Sequence, residues 1–342
     1  MNANEIETNA RKMVAAGKGI LAADESDGTI KKRFDSINVS STEENRRSYR
    51  EFLFTTKGIE EYISGVILFD ETIRQKTKDG TPFAEFLANL GIVPGIKVDK
   101  GTKSLAGAPG ETVTEGLDGL RDRLSEYYEL GARFTKWRAV INIGDGLPSR
   151  YAINANAHAL ARYAALSQEA NLVPIIEPEV LMDGDHTIER CYEVSEATLK
   201  CVFEELKNQR VSLERMVLKP NMILSGKNCP TQAGIEEVAE QTVRCLKACV
   251  PEAVPGMAFL SGGQADEVAT AHLNAMNKIV PHPWELSFSY GRALQASALK
   301  AWGGDSSMVL HAQKVFCHRA KCNGAARSGS YTAEMENEVA VA

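Results

Sequence analysis

Three lysines lie at the ends of short apolar runs, where a cationic side chain is costly to bury unless it has a function. They are Lys97, Lys136 and Lys219, and Lys219 is followed directly by Pro220. If the three side chains converge, each makes it harder for the others to stay charged. An amine that loses its proton near neutral pH attacks carbonyl carbon, so the pattern predicts a nucleophilic lysine.

Carboxylates and a guanidinium occur at equivalent positions. Asp24 follows the first apolar run, Arg138 follows Lys136, and a later run ends in Glu177 and Glu179. Alternate residues of a strand face the same way, so the two glutamates can share one face. One such residue at a strand end is usually only solvated. Their repetition over five runs predicts a single site of ionisable groups.

The last two runs end in a different kind of sequence. The seventh is followed by Ser261-Gly262-Gly263, and the eighth contains Ser289 and is followed by Gly291-Arg292. Glycines let backbone N–H groups approach an anion closely, and arginine offers two parallel donors. Each segment alone is typical of a tight strand-to-helix turn. Together they predict a phosphate site.

These residues must be positioned by eight short strands that alternate with helical segments. Amphipathic or alanine-rich patterns predict helices over 149–170, 186–210, 235–250 and 265–279. Eight such units predict an α/β fold with a parallel sheet closed into a (β/α)₈ barrel. An open doubly wound sheet is the alternative, but the chain lacks the glycine-rich nucleotide motifs of that architecture. The predicted strands are residues 19–23, 65–69, 93–98, 134–140, 173–177, 216–219, 257–260 and 286–290.

The segments outside the eight units are a leading helix, an insertion and a tail. Residues 1–17 are expected to form the helix, 36–62 a polar helical insertion, and 306–321 a last helix. We expect residues 1–327 to form a single barrel domain. Residues 328–342 are polar and acidic and are expected to form a flexible tail.

Composition excludes several classes of function. The chain has 342 residues, is 44% hydrophobic and 25% charged, and carries a net charge of −6. That charge argues against a bulk nucleic-acid partner, and no apolar run is long enough to span a membrane. The N-terminus lacks the apolar segment of a secretory signal. Seven scattered cysteines indicate free thiols in a reducing, cytoplasmic environment.

Taken in order, these motifs resemble the class I fructose-1,6-bisphosphate aldolase family. The resemblance runs from about residue 8 to about residue 322. The matching segments are 17–26 (GKGILAADES), 42–47 (TEENRR), 95–101 (GIKVDKG), 136–138 (KWR), 174–179 (PIIEPE), 218–222 (LKPNM), 259–264 (FLSGGQ) and 289–295 (SYGRALQ).

The resemblance implies reversible cleavage of fructose 1,6-bisphosphate to dihydroxyacetone phosphate and glyceraldehyde 3-phosphate in glycolysis or gluconeogenesis. It implies a homotetramer that needs no metal and no cofactor. Lys219 is expected to form a Schiff base with the ketone, with Glu177 as the acid/base for that step, helped by Lys136 and Glu179. Asp24 is expected to take the proton of the substrate hydroxyl as the carbon–carbon bond breaks.

The resemblance also assigns the two phosphates to opposite ends of the site. Arg138 is expected to contact substrate as well. One phosphate is expected at Ser261, Gly262, Gly263, Ser289, Gly291 and Arg292. The other is expected at Ser26, Thr29, Arg33, Lys97 and Arg46.

Two features depart from the family pattern. Animal members end in a tyrosine that folds over the site, whereas the nearest tail tyrosine here is Tyr331. Asp27 adds a carboxylate between Ser26 and Gly28, where it is expected to weaken phosphate binding.

Two alternatives stay open at the level of sequence. One is another lysine-dependent barrel lyase or transferase that acts on sugar phosphates. The other is a non-catalytic, protein-binding scaffold that keeps the barrel without the chemistry.

Overall fold

A closed parallel barrel forms the centre of the computed structural model, which describes residues 3–341. The strands are β1 Gly19–Ala23, β2 Ile63–Leu68, β3 Val93–Lys97, β4 Thr102–Ser104, β5 Thr112–Thr114, β6 Phe134–Ile141, β7 Val173–Val180, β8 Val217–Leu218, β9 Gly256–Phe259 and β10 Glu285–Tyr290. The barrel strands follow the order β1-β10-β9-β8-β7-β6-β3-β2, and β4 and β5 form a separate antiparallel hairpin.

Helices surround the barrel and connect successive strands, which confirms the predicted (β/α)₈ fold class. The side chains of Thr42, Ser149 and Thr187 each cap the first turn of the helix that begins at the next residue. The helices are α1 Ala3–Met13, α2 Asp27–Asp35, α3 Glu43–Phe54, α4 Asp70–Arg74, α5 Phe83–Asn89, α6 Leu120–Glu129, α7 Arg150–Glu169, α8 Ile188–Asn208, α9 Ile235–Cys249, α10 Asp266–Lys278, α11 Arg292–Trp302 and α12 Val309–Ala326. Among residues 3–341, no helix combines the length and the apolarity needed to cross a lipid bilayer.

The N-terminal helix closes the amino-terminal end of the barrel. Its residues Ile6, Ala10 and Met13 are fully buried and belong to the same apolar cluster as Phe134 and Val217 from inside the barrel. With that end filled by apolar side chains, the open end of the barrel is the one where the strands finish. Functional side chains must therefore be presented at the carboxyl ends of the strands.

The strand β7 continues through Pro178 to Val180, although the predicted strand ends at residue 177, just before the proline. The backbone carbonyl of Ile176 accepts from Lys219 N, and Val180 N donates to the Asn221 side chain. The backbone N–H and C=O groups of Ile176 and Val180 therefore point toward β8. Backbone groups of alternate residues on a strand point to the same neighbouring strand, so the backbone nitrogen of Pro178 points toward β8 as well. Since β8 has already ended at Leu218, no ladder bond is lost by the missing N–H.

Other boundaries differ from the sequence prediction because short elements carry weak periodicity. The insertion 36–62 contains only α3 and a short 3₁₀ turn at Ile59–Glu61, while α2 and the β4–β5 hairpin have no counterpart in the prediction. The last helix runs five residues beyond the predicted end at 321. The tail includes a 3₁₀ segment, Ala333–Val341. Its mobility and the division at residue 327 stay predictions.

Candidate active site

The strand period of two brings the predicted residues into the barrel mouth. Lys136 is two residues beyond Phe134 on β6, and Glu177 is two residues beyond Ile175 on β7. Phe134 and Ile175 point into the apolar interior near α1. Each strand therefore begins inside with an apolar side chain and ends on the same face with an ionisable one. Lys219 has the same relation to Val217.

A chain of buried charges links four of the five predicted catalytic residues. Lys219 Nζ lies 3.1 Å from Glu177 Oε1, and Glu177 Oε2 lies 2.8 Å from Lys136 Nζ. Lys136 Nζ also donates to Asp24 Oδ2 at 3.0 Å. The side chains of Lys219, Glu177 and Lys136 are each about 5% exposed or less. Two lysines and two carboxylates therefore alternate along one path of ion pairs.

The carboxylates hold their ionised form despite burial. Burial opposes the charge of Asp24, but Lys136, Lys219 and Lys97 outweigh it and hold the pKa of Asp24 far below its ordinary value. Burial likewise opposes the charge of Glu177, yet Lys136 and Lys219 lower its pKa. Both groups are therefore proton acceptors near neutral pH.

Lys136 does not follow the expectation that neighbouring lysines weaken one another's charge. Burial acts to lower its pKa, but Asp24 and Glu177 contribute more, and the pKa of Lys136 lies far above its ordinary value. The expectation fails here because the two carboxylates are within 3.0 Å. Lys136 is thus a fixed cation that organises two carboxylates.

Two further ion pairs flank this chain. Lys97 Nζ donates to the Asp99 carboxylate at 2.6 Å and to its backbone carbonyl at 2.8 Å. Arg138 Nε donates to the Glu179 carboxylate, so Glu179 contacts the arginine and not Lys219. Burial opposes the charge of Arg138, but Glu179 raises the pKa of the guanidinium above its ordinary range. Glu179 is thus positioned to hold Arg138 at the mouth.

The glycine-rich segments after β9 and β10 form an anion-type cradle. Gly262 and Gly263 have φ of 60° and 101°, which other residues adopt only with strain. A Cβ on Gly263 would lie 2.9 Å from Arg292 Nη2, so glycine permits the guanidinium to approach the backbone. The hydroxyl of Ser289 is buried without a hydrogen-bond partner. Arg292 is the first residue of α11 after Gly291, where unpaired N–H groups and the helix dipole favour an anion.

The opposite side of the mouth holds Ser26, Thr29 and Arg33. The Ser26 and Thr29 hydroxyls lie 3.2 Å apart at the start of α2. Arg33 pairs with the buried Glu25 carboxylate, which Arg50 also contacts at 2.8 Å. Burial acts to lower the pKa of Arg33, but its neighbours, chiefly Glu25, raise that pKa above its ordinary value. A cation therefore stands at this end of the cavity too.

One cavity of about 1210 Å³ joins these groups. It is lined by every predicted site residue except Arg46. Arg46 donates to Glu71 at 2.8 Å and 2.5 Å and to the Ser41 carbonyl at 2.6 Å, and this pairing keeps its guanidinium from the cavity. Asp27 is exposed in the first turn of α2 and does not line the cavity either.

Sequence reasoning missed several charged residues of the site. Lys227 lines the cavity from the loop after β8 and pairs with Asp183 at 2.6 Å. Arg50 is only 2% exposed, although it belongs to the insertion that looks polar and solvated in sequence. A basic residue in a loop that follows a barrel strand is the signal that could have identified Lys227. No sequence signal distinguishes Arg50 from its exposed neighbours.

Tyr331 lies away from this cavity. Its hydroxyl donates to Glu336 Oε1 at 2.7 Å, and its backbone N–H donates to Asn274 Oδ1 at 3.0 Å. These contacts hold it against α10 and the 3₁₀ segment of the tail. The tyrosine therefore does not reach Lys219 in this structure.

The family profile described as fructose-bisphosphate aldolase class-I, of the glycolytic type, matches residues 5–342. The chain belongs to the class I fructose-bisphosphate aldolase family. It is 61% identical over 332 residues to the probable fructose-bisphosphate aldolase class 1 of Xanthomonas campestris pv. campestris, covering 97% of this chain and 99% of that protein. It is 54% identical to the cytosolic fructose-bisphosphate aldolase 4 of Arabidopsis thaliana, covering 97% of this chain and 85% of that protein.

A solved aldolase structure agrees with the barrel. The fructose-bisphosphate aldolase of Plasmodium falciparum superposes with a TM-score of 0.96 at 50% identity, covering 97% of this chain and 96% of that one. The protein is thus a carbon–carbon lyase of the class I aldolase type, and the sequence resemblance is confirmed. Neither these comparisons nor residues 3–341 of the structure supply an observation that favours a non-catalytic scaffold.

Proposed function

We propose that this aldolase cleaves fructose 1,6-bisphosphate through a Schiff base on Lys219, with Glu177, Lys136 and Asp24 as its proton-handling groups. One observation carries the proposal. The amine of Lys219 lies 3.1 Å from a buried carboxylate whose second oxygen contacts a second lysine, and that lysine contacts a second carboxylate. Such a path can move a proton at each step of imine formation and bond cleavage without a bound cofactor.

Imine formation needs one proton accepted and one donated at nearly the same place. The neutral amine of Lys219 attacks the ketone carbon, and Glu177 takes the proton that the nitrogen releases. Glu177 returns that proton to the former carbonyl oxygen to give the carbinolamine. A second proton, which Glu177 takes up from solvent, lets the hydroxyl leave as water and gives the iminium, so one proton is consumed overall. A carboxylate at 3.1 Å from the amine is within reach of both atoms.

Cleavage then uses the iminium as an electron sink. The electron pair of the carbon–carbon bond moves to the iminium and forms an enamine, while the neighbouring hydroxyl loses its proton and becomes the aldehyde. Asp24 is the group proposed to take that proton, because its lowered pKa keeps it ionised at neutral pH. Lys136 stabilises the carboxylates on either side of it throughout.

Two phosphate groups would anchor the substrate across the lysine. Gly262, Gly263, Arg292 and the unpaired hydroxyl of Ser289 would hold one phosphate at the helix terminus. Ser26, Thr29 and Arg33, with Lys97, would hold the other. Cations at both ends of one cavity favour a bisphosphate over a monophosphate.

We also propose a cytoplasmic homotetramer. The support is the family resemblance, the seven free cysteines and the cytosolic designation of the Arabidopsis relative. Sedimentation equilibrium of the purified protein measures the assembly directly, and a monomeric mass would contradict the tetramer.

Borohydride reduction in the presence of dihydroxyacetone phosphate tests the central step. We expect one stable adduct, mapped by mass spectrometry to Lys219, and loss of both adduct and cleavage in Lys219→Met. Lys200→Met is the matched control, since Lys200 is an exposed lysine on α8 paired with Glu196. An adduct on another lysine, or cleavage abolished by EDTA, would contradict the proposal.

A further inference from the structure

Three potential metal ligands meet where the tail packs against α12, away from the catalytic cavity. His318 and Cys322 are four residues apart on α12 and so share one face of the helix. Glu336 comes from the 3₁₀ segment of the tail. One ligand atom from each residue lies within 4.8 Å of the other two.

The histidine and cysteine already have the separation that a zinc site requires. His318 Nε2 lies 3.6 Å from Cys322 Sγ. Zinc bonds of about 2.0–2.1 Å to nitrogen and about 2.3 Å to sulfur, at a tetrahedral angle, place the two ligand atoms about 3.6 Å apart. The helix thus presents two ligands at metal spacing with no rearrangement of its backbone.

The third ligand is oriented by its own neighbours. Arg319 donates to the two oxygens of Glu336 at 2.8 Å and 2.7 Å, and Tyr331 donates to one of them at 2.7 Å. Hydrogen bonds of this kind fix the direction of a ligating carboxylate in metal sites. Oε1 accepts two of these bonds and Oε2 only one, so Oε2 keeps a lone pair for an ion. Cys322 is buried, while His318 and Glu336 are half-buried, so an ion has a path from solvent.

We propose that His318, Cys322 and Glu336 bind a divalent ion of the zinc class that fastens the tail to α12. Thiolate, carboxylate and imidazole suit such an ion, and a water completes a tetrahedral set. Binding releases the thiol proton of Cys322, and the thiolate neutralises one of the ion's two charges, while the Glu336 carboxylate shares its charge between the ion and Arg319. Glu336 is the only one of the three ligands supplied by the tail. The ion therefore crosslinks two segments that are also joined by the ion pairs Arg319–Glu336 and Lys321–Glu338.

Cobalt substitution tests the site by a readout independent of catalysis. Protein stripped with a chelator and kept reduced by a phosphine is titrated with Co²⁺ alone. We expect one equivalent to give the visible bands of tetrahedral cobalt and a thiolate-to-cobalt charge-transfer band, both removed by Zn²⁺. Amide hydrogen exchange over residues 331–338 should slow when Zn²⁺ is added.

Matched variants decide whether these three residues form the site. Cys317→Ser is the control, because Cys317 is on the same helix but is not one of the three ligands. It should keep the charge-transfer band, which Cys322→Ser should lose. His318→Gln, at a half-buried position, should lose the tetrahedral spectrum and the effect of Zn²⁺ on exchange. Wild-type protein without the band, or Cys322→Ser with it, would overturn the proposal.

Discussion

At the scale of single residues, Glu177 works as a shared partner, because its two oxygens contact two different lysines. One oxygen lies beside the proposed nucleophile and the other beside Lys136. Buried charges are stable only when paired, so each member of the path depends on the next. The position of the proton on this path is therefore set by the whole chain from Lys219 to Asp24.

Lys136→Met should expose that dependence. Burial opposes the charge of Asp24 and Glu177, and Lys136 is the cation that counters it most at both, so the pKa of each carboxyl rises when the ammonium group is removed. Carboxylates that must be ionised to accept protons then become protonated at higher pH. We expect kcat to fall by about 100-fold or more and the acid limb of kcat/KM to move to higher pH. The measurement is the pH–rate profile of cleavage.

Lys136→Arg is the control because it keeps the cation. Its acid limb should stay at lower pH than that of the methionine variant, even if misplacement of the guanidinium slows catalysis. Identical acid limbs in the two variants would show that Lys136 contributes shape and not charge.

Residue types at strand ends selected the lysines and carboxylates at the centre of the cavity, since alternation along a strand is a property of sequence. Thr29 and Arg33 were selected only through the family resemblance, and Lys227 was missed. The pairing within the site did not follow from sequence. Lys136 keeps its proton because two carboxylates lie within 3.0 Å, a distance that only the closed barrel fixes. Arg46 belongs to a matching motif but turns to Glu71, because its helix α3 lies outside the barrel mouth.

At the scale of elements, the neighbouring strands and the side chains packed against a strand determine which residue types each strand position accepts. β7 tolerates Pro178 because its neighbour β8 has ended, a fact of pairing that residue preferences do not encode. Gly95 on β3 shows the reverse case. An added Cβ there would lie 2.2 Å from the ring of Phe134 on β6.

Gly95→Ala should therefore overpack the barrel interior. We expect the free energy of unfolding to fall by about 1–3 kcal/mol, measured by urea denaturation. Gly28→Ala is the matched control, since an added Cβ on this exposed residue of α2 meets no atom within 4 Å. Adding Phe134→Leu to Gly95→Ala should recover part of the loss. A double variant with strictly additive losses would contradict the steric explanation.

At the scale of the whole molecule, the closed barrel lets one buried histidine link pH to global stability. His272 on α10 is 4% exposed, and its Nδ1 lies 2.6 Å from Gln264 Oε1. Gln264 in turn donates to the Ser261 carbonyl at the anion-type cradle. Burial lowers the pKa of His272 to about 4, against a weak opposing effect of Glu236.

Below its ordinary pKa of 6.5, His272 is protonated in the unfolded chain but stays neutral in the folded one until the pH nears 4. The unfolded state binds more protons in this window, so the free energy of unfolding must fall as the pH falls. Between pH 7 and pH 5 we expect this residue to lower the free energy of unfolding by about 2 kcal/mol.

His272→Gln keeps an amide donor for Gln264 but cannot titrate. The urea midpoint of this variant should fall less than that of the wild type between pH 7 and pH 5. The control is His311→Gln, at an exposed position of α12, whose midpoint should fall as much as that of the wild type. Equal losses in wild type and His272→Gln would mean that the histidine titrates normally in the folded barrel.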